Sequence, residues 1–167
     1  GAYTWALENV VLPNAETIGD NFLNFSFAKR SEYASVNLPQ VTTIGSNAFK
    51  NSYVGLTAPN LREMGDTAFK GTKISEIDLP LLEIVGRDFF RSNYEPNPMY
   101  ISGNGLDTTL FSIDTASNRN LKLELPNLAH LGERAFYCAS LSEISLPKLK
   151  EFKQSFSAIR TKNVKLA

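Results

Sequence analysis

His130 and Cys138 are the one pair of side chains in this sequence able to serve as a nucleophile and its base, since the chain holds a single His and a single Cys. A serine triad would need the same histidine, and no Gly-x-Ser-x-Gly elbow is present to expose a serine. Gly103-Asn104-Gly105 lacks the third glycine and the strand-to-helix setting of a dinucleotide loop, so it reads as a turn. Asp107 and Asp114, with threonines nearby, do not fit the alternating acidic spacing and closing Glu of a calcium loop. The remaining chemistry is carboxylate chemistry. Glu76, Asp78, Glu124 and Glu143, with Lys122 among them, could bind a ligand, and two of the carboxylates could in principle act as acid and base on a glycoside.

What those groups can do depends on the scaffold beneath them. The 167 residues carry 17 Lys+Arg against 17 Asp+Glu, with 43% hydrophobic and 11% aromatic residues, which suits one soluble, ordered domain. Zero net charge and the lack of a basic run argue against nucleic acid as a partner. One Cys forms no internal disulfide, and one Cys with one His falls short of a Cys/His zinc site, so no metal and no cofactor are expected. No stretch approaches the length of apolar residues needed to span a bilayer, so no membrane insertion is expected. A start at Gly1-Ala2-Tyr3, without Met or a targeting segment, is expected of a processed or trimmed piece.

The prolines reveal a repeat. Six of the eight share one frame: Leu12-Pro13, Leu38-Pro39, Ala58-Pro59, Leu79-Pro80, Leu125-Pro126 and Leu146-Pro147. Most are spaced by 20 or 21 residues, the first pair by 26, and Pro80 to Pro126 by 46. Six residues after the proline stands Gly in five of six cases (Gly19, Gly45, Gly65, Gly86, Gly132), with Lys153 the exception. Five residues after it the position is always apolar, Phe152 included, and ten residues after it Phe recurs as Phe49, Phe69, Phe90 and Phe136.

Before each proline the pattern has period two. The positions three and one before it are apolar throughout, from Val10/Leu12 to Val164/Leu166, and those two and four before it are polar or glycine except for Val11. That alternation predicts a short strand with one buried and one solvated face, ended by a proline that cannot continue the ladder. The glycine suits either positive φ or close approach of neighbouring coils. Segments such as Ser46-Asn47-Ala48-Phe49 and Asp66-Thr67-Ala68-Phe69 predict one helical turn, capped by Ser or Asp, with Phe turned inward into a continuous spine. No Asn column stands near the strand end. Between Pro80 and Pro126 the spacing predicts a degenerate repeat with a strand near Met99-Tyr100-Ile101, and an insertion over about 96–119 that is either decoration or part of a ligand surface.

The unit L-x-x-I-x-L-P-x-x-L-x-x-I-G-x-x-A-F resembles the leucine-rich repeats of the BspA-like type over about residues 7–95 and 120–167. With that resemblance the sequence implies an α/β fold in a single domain, 1–167. It would be a right-handed leucine-rich-repeat solenoid of about seven 20–26-residue coils, with a parallel β-sheet on one face and turns or short helical segments on the other. The frame then places Glu76, Asp78, Lys122, Glu124 and Glu143 side by side on the outward, concave face of the sheet, a surface such solenoids use for binding. Tyr100, beside the out-of-frame prolines, is the aromatic expected to meet a ligand. His130 falls in a column shared with Thr17, Thr43 and Glu63, which reads as solvent-facing, and Cys138 reads as a buried, inert thiol.

The resemblance further implies a bacterial surface or secreted protein, extracellular in location. It implies a non-enzymatic adhesion module whose partner is a protein or glycan of a host or another cell. Two other readings remain: a structural spacer that displays another domain, and a carbohydrate-active enzyme using the sheet carboxylates. Asn24-Phe25-Ser26, Asp66-Thr67-Ala68 and Asp114-Thr115-Ala116 match short glycosylation motifs.

Overall fold

The computed structural model describes residues 7–24, 33–92, 101–102, 105–106, 118–152, 154–157 and 159–166. They form a parallel β-solenoid. Its first sheet comprises β1 (Asn9–Val11), β3 (Ala34–Asn37), β5 (Tyr53–Thr57) and β7 (Lys73–Asp78), and resumes with β11 (Asn118–Glu124), β13 (Leu141–Leu146) and β14 (Asn163–Leu166). Its second sheet is built of two-residue strands: β2 (Thr17–Ile18), β4 (Thr43–Ile44), β6 (Glu63–Met64), β8 (Ile84–Val85) and β12 (His130–Leu131). β9 (Ile101–Ser102) and β10 (Gly105–Leu106) form a separate antiparallel ribbon.

The proline frame sets the register. Val10 pairs with Val36, Val36 with Leu56, Leu56 with Ile77, and Leu123 with Ile144 and so with Val164. Val36, Leu38, Leu56, Ala58, Leu123, Leu125, Ile144 and Leu146 are buried as the alternation requires. Val11, the odd apolar residue in the solvated column, is 59% exposed, so position rather than residue type decides which face a side chain takes. Burial of the inward column is the main favourable term, about 1.5–3 kcal/mol for each large apolar side chain.

Aromatic rings fill the interior behind the sheets. Phe22, Phe49, Phe69, Phe89, Phe136 and Phe156 form a row with centroids 5.3–6.1 Å apart from one ring to the next, and Phe90 packs beside Phe69, Phe89 and Phe136. Phe152 shares its column with Ile18, Ile44, Met64 and Val85 but is not buried as they are. It is 57% exposed and lies edge-on to Phe156, 6.0 Å away.

The expected helical segments are not found among the described residues; the third side of each coil is a chain of turns. The reason lies in where its N–H groups point. Asn47 donates to the Asp66 carbonyl, Phe49 to Ala68 and Asn51 to Lys70, each in the next coil, so these donors run along the solenoid axis and not to a residue four back. The residue eight after the proline is left-handed in five coils (Asn21, Asn47, Thr67, Asp88, Arg134), which also breaks a helical turn. Of the expected caps, Asp66 is spent between coils, its Oδ1 accepting the Arg87 N–H at 2.8 Å, just as Asp20 Oδ1 accepts that of Ser46 at 2.7 Å.

Of the two uses open to the glycine column, close approach is the one found. A Cβ on Gly132 would lie 2.2 Å from the Gly86 carbonyl carbon, and one on Gly65 would lie 2.7 Å from the Ser46 nitrogen. Left-handed φ falls elsewhere, the one such glycine among the described residues being Gly71. An amide column escaped the sequence reading. Asn60 Nδ2 donates to the Pro39 carbonyl and Asn127 Nδ2 to that of Pro80, each at 2.7 Å, tying the residue after one proline to the proline of the coil before.

Five coils carry a strand on both sheets, and β13 and β14 add partial ones, so the solenoid has about five turns and not the seven expected. The interval before Pro126 adds no turn between β8 and β12. Gly132 donates to Val85, Asp88 to Glu133 and Phe90 to Ala135, so the coil of β8 stacks directly on that of β12. Of the strand expected near Met99-Tyr100-Ile101, Met99 and Tyr100 lie outside the described residues, and Ile101 belongs to the antiparallel ribbon. A buried ion cluster joins the same two coils. Asp88 pairs with Arg91 at 3.3 Å and Arg134 at 3.0 Å, and the Arg91 guanidinium lies 5.0 Å from the Tyr137 ring centre.

Gly132→Ala is expected to destabilise by about 3 kcal/mol in urea unfolding, because rigid backbone opposes the new methyl. Gly19→Ala, which meets nothing within 4 Å, is expected to cost far less. Asp88→Ala is expected to cost about 3 kcal/mol in the same assay, since Arg91 would stay buried without that carboxylate.

Candidate functional site

The solvated face of the first sheet carries the charged residues singled out by the sequence. Glu76 and Asp78 project from β7, and Lys122 and Glu124 from β11; all four are exposed. Glu143, on β13, is half-buried. The register brings Lys122 beside Glu143 and Glu124 beside Ser145, with Lys165 next in line on β14. Lys165 Nζ donates to Glu143 Oε1 at 2.8 Å. That hydrogen bond, opposed by burial and helped less by the charges of Lys165 and Lys122, holds the Glu143 carboxyl below its ordinary range. The same bond, followed by the Glu143 charge, pushes Lys165 up. A lowered carboxyl pKa runs opposite to what a general acid needs.

The five residues do not form one unbroken row. The ladder is interrupted between β7 and β11, so Glu76 and Asp78 lie on one segment of the sheet and Lys122, Glu124 and Glu143 on the other. Opposite Gly55 the Glu76 side chain leans toward β5, its Cγ 3.0 Å from where a Cβ on that glycine would stand. Tyr100 lies outside the described residues, as do Asp107 and Asp114. Among the described residues no three of His, Cys, Asp and Glu come together in a group able to hold a metal ion.

The model of the BspA type leucine rich repeat region matches residues 16–122 and 106–166, with six copies. The chain belongs to the BspA-type leucine-rich-repeat family. Neither the curated proteins nor the solved structures gave a match.

Leucine-rich-repeat domains generally mediate protein interactions and are typically non-enzymatic, and the BspA type is typically surface-associated. No helix among the described residues is long and apolar enough to cross a membrane. His130 and Cys138 take positions that the repeat explains. His130 is exposed on the second sheet, paired with Ile84 and bridged to Glu151. Cys138 is buried at a left-handed position shared with Asn51 and Gly71, and burial pushes its thiol up, which lowers its reactivity. The positions that sequence reasoning missed lie at the break in the sheet. Asn118, Arg119 and Lys73 fall outside the columns counted from proline, and no spacing marks them.

The Glu143–Lys165 pair predicts a titration. The Glu143 carboxyl should titrate below the ordinary Glu range by NMR, and Lys165→Met should return it upward. Because the folded value is lowered, its contribution to stability is present above the ordinary value and is lost as pH falls through the folded one.

Proposed function

We propose that this domain is a non-enzymatic binding module, displayed at a cell surface or secreted, that recognises a protein or glycan on the outer face of its first sheet. Glu76, Asp78, Lys122, Glu124 and Glu143 are the residues assigned to contact. Tyr100 remains part of the proposal as an aromatic contact from the excursion between the fourth and fifth coils. The supporting observation is the alternation itself. From β1 to β13 the inward columns are spent on the core, Val164 and Leu166 of β14 staying exposed, so the outward columns contribute little to folding and are free to differ from coil to coil.

On that face the composition is charged where strands β7 and β11 meet the break, and shorter and more neutral toward β1, where Asn9, Ser35, Asn37 and Thr57 stand. Such a gradient gives orientation to an incoming partner through complementary charge. Among the described residues Glu76, Asp78 and Glu124 are exposed and lack the dry setting that separates an acid from a base, so binding is favoured over glycoside cleavage.

The test is capture of immobilised matrix proteins, mucins and glycans by the purified domain. Reversing Glu76 and Glu124 together to Lys is expected to weaken saturable capture by about tenfold or more while changing stability by no more than about 0.5 kcal/mol. Equal capture by the variant would remove the site assignment, and the lack of any saturable partner would favour a spacer that displays another domain.

A further inference from the structure

The break in the first sheet is bordered on both sides by bulged strands. Across β5 and β7 the register passes from Val54–Ile74 to Leu56–Ile77, so β7 holds one extra residue. Across β11 and β13 it passes from Asn118–Leu141 to Lys122–Glu143, so β11 holds two. Bulges re-aim side chains and end pairing, and here they do both on the two strands that face each other. At the start of the break the strands are stitched by one side chain. Buried Asn118 accepts the Ile74 N–H and donates to the Thr72 carbonyl, both at 2.9 Å.

A groove of about 650 Å³ lies here, with Tyr33, Lys73, Ser75, Arg119, Asn120 and Lys122 along it and Ile74, Asn118 and Leu121 completing its walls. Three of these residues are cations and none is a carboxylate. Glu76, the nearest acidic neighbour in sequence, is not among the residues along the groove and, like Ser75, lies over Gly55 of β5. Lys73 is held by the aromatic row of the preceding coils: its Nζ lies 5.9 Å from the Tyr53 ring centre, and Tyr53 is edge-on to Tyr33 at 5.9 Å. Among the described residues Arg119 and Lys122 belong to no ion pair; Lys122 lies within electrostatic reach of Glu143.

We propose that this groove takes a terminal acidic sugar, one bearing a carboxylate or a sulfate. Arg119 and Lys122 would face the anion, and Ser75 and Asn120 the hydroxyls. Tyr33 would offer its ring to the sugar face. The volume falls in the usual range for small-ligand sites and suits one or two sugar units. A saccharide is favoured over an acidic peptide because the Asn118 stitch closes the break at one end, so an extended strand could not run through between β7 and β11. The lining is also rich in hydroxyl, amide and cationic groups, which match a hydroxyl-rich anion better than side-chain pockets would. The proposal names a ligand class for part of the face described above and rests on that reading, sharing Lys122 with it.

The experiment is binding of the whole domain to an array of sulfated, uronate-terminated and sialate-terminated oligosaccharides beside their neutral parents and an oligoglutamate peptide. Acidic sugars are expected to bind over neutral ones and over the peptide, with Arg119→Ala and Lys73→Ala each weakening capture about tenfold and Lys150→Ala, exposed and outside the groove lining, leaving it unchanged. The sulfated and carboxylated arms tell which anion is preferred. Arg119 is exposed, so its variant is expected to keep the wild-type melting profile and hold the test open should Lys73→Ala fold poorly. Equal capture of neutral parents, equal capture of oligoglutamate, or insensitivity to Arg119→Ala would overturn the proposal. Running the protein with Glu76 and Glu124 both changed to Lys on the same array separates the two readings. Loss of capture there with Arg119→Ala silent keeps the sheet and overturns the groove, whereas loss only in Arg119→Ala supports the groove.

Discussion

Every coil in this protein must satisfy its backbone polar groups on the coil beside it, and that single constraint shapes all three sides of the solenoid. Parallel strands sit about 4.8 Å apart, so a stack of coils works only if each one repeats the path of the last at that spacing. On the sheets this gives the usual ladders. On the turn side it gives the same thing without strands: Asn47, Phe49 and Asn51 donate to Asp66, Ala68 and Lys70. The glycine column follows from it. Where the backbone of one coil passes over the next, as Gly132 over Gly86, a Cβ has no room, and a larger residue would force the ladders apart. Buried hydroxyls serve the same end, the Ser52 and Thr72 side chains donating to the Leu23 and Phe49 carbonyls of the preceding coil.

The same constraint makes a break in the ladder consequential. Continuity through the excursion is kept on two sides, by the second sheet and by the turns, and secured by the Asp88 cluster with Arg91 and Arg134. The first sheet is therefore free to part at β7 and β11 without the stack coming undone. Asn118 makes that parting orderly. One side-chain amide supplies an acceptor and a donor to β7 in place of a backbone residue, which is why the strand start stays buried and satisfied while the strands beyond it diverge.

The strands and core were legible because proline and the period-two pattern fix one another. A frame anchored at Pro39 or Pro59 predicts which of Val36, Asn37 and Leu38 points inward, and burial follows it even where Val11 is the wrong residue type for its face. The turn side was misread because Ser-Asn-Ala-Phe is compatible with a helical turn in isolation. What decides against it is the neighbouring coil, which competes for the N–H groups and holds Asn47 and Thr67 left-handed. The last coil shows the same limit. Its left-handed residue is Gln154, seven after the proline and not eight, so the turn is one residue shorter, which accounts for the missing glycine at Lys153 and for Phe152 at the surface. The charged residues of the face were legible as columns. Their division into two groups was not, since Leu123 and Leu125 keep the frame intact and the extra residues of the bulges hide upstream of it.

Charge on the outer face is arranged by this geometry more than by composition. The formal charge of the chain is zero, yet the bulges gather Lys73, Arg119 and Lys122 along one groove while Glu76, Asp78 and Glu124 occupy the neighbouring strand positions. Farther along the sheet opposite charges neutralise one another between strands, Glu143 lying in register with Lys122 and paired diagonally with Lys165. Where β7 and β11 part, the ladder makes no such pairing, so the cations of the groove and the carboxylates beside it each keep a local surface. Net neutrality therefore says little about what this face can recognise, because the field that a ligand meets is set over a Debye length of about 10 Å and not over the whole chain.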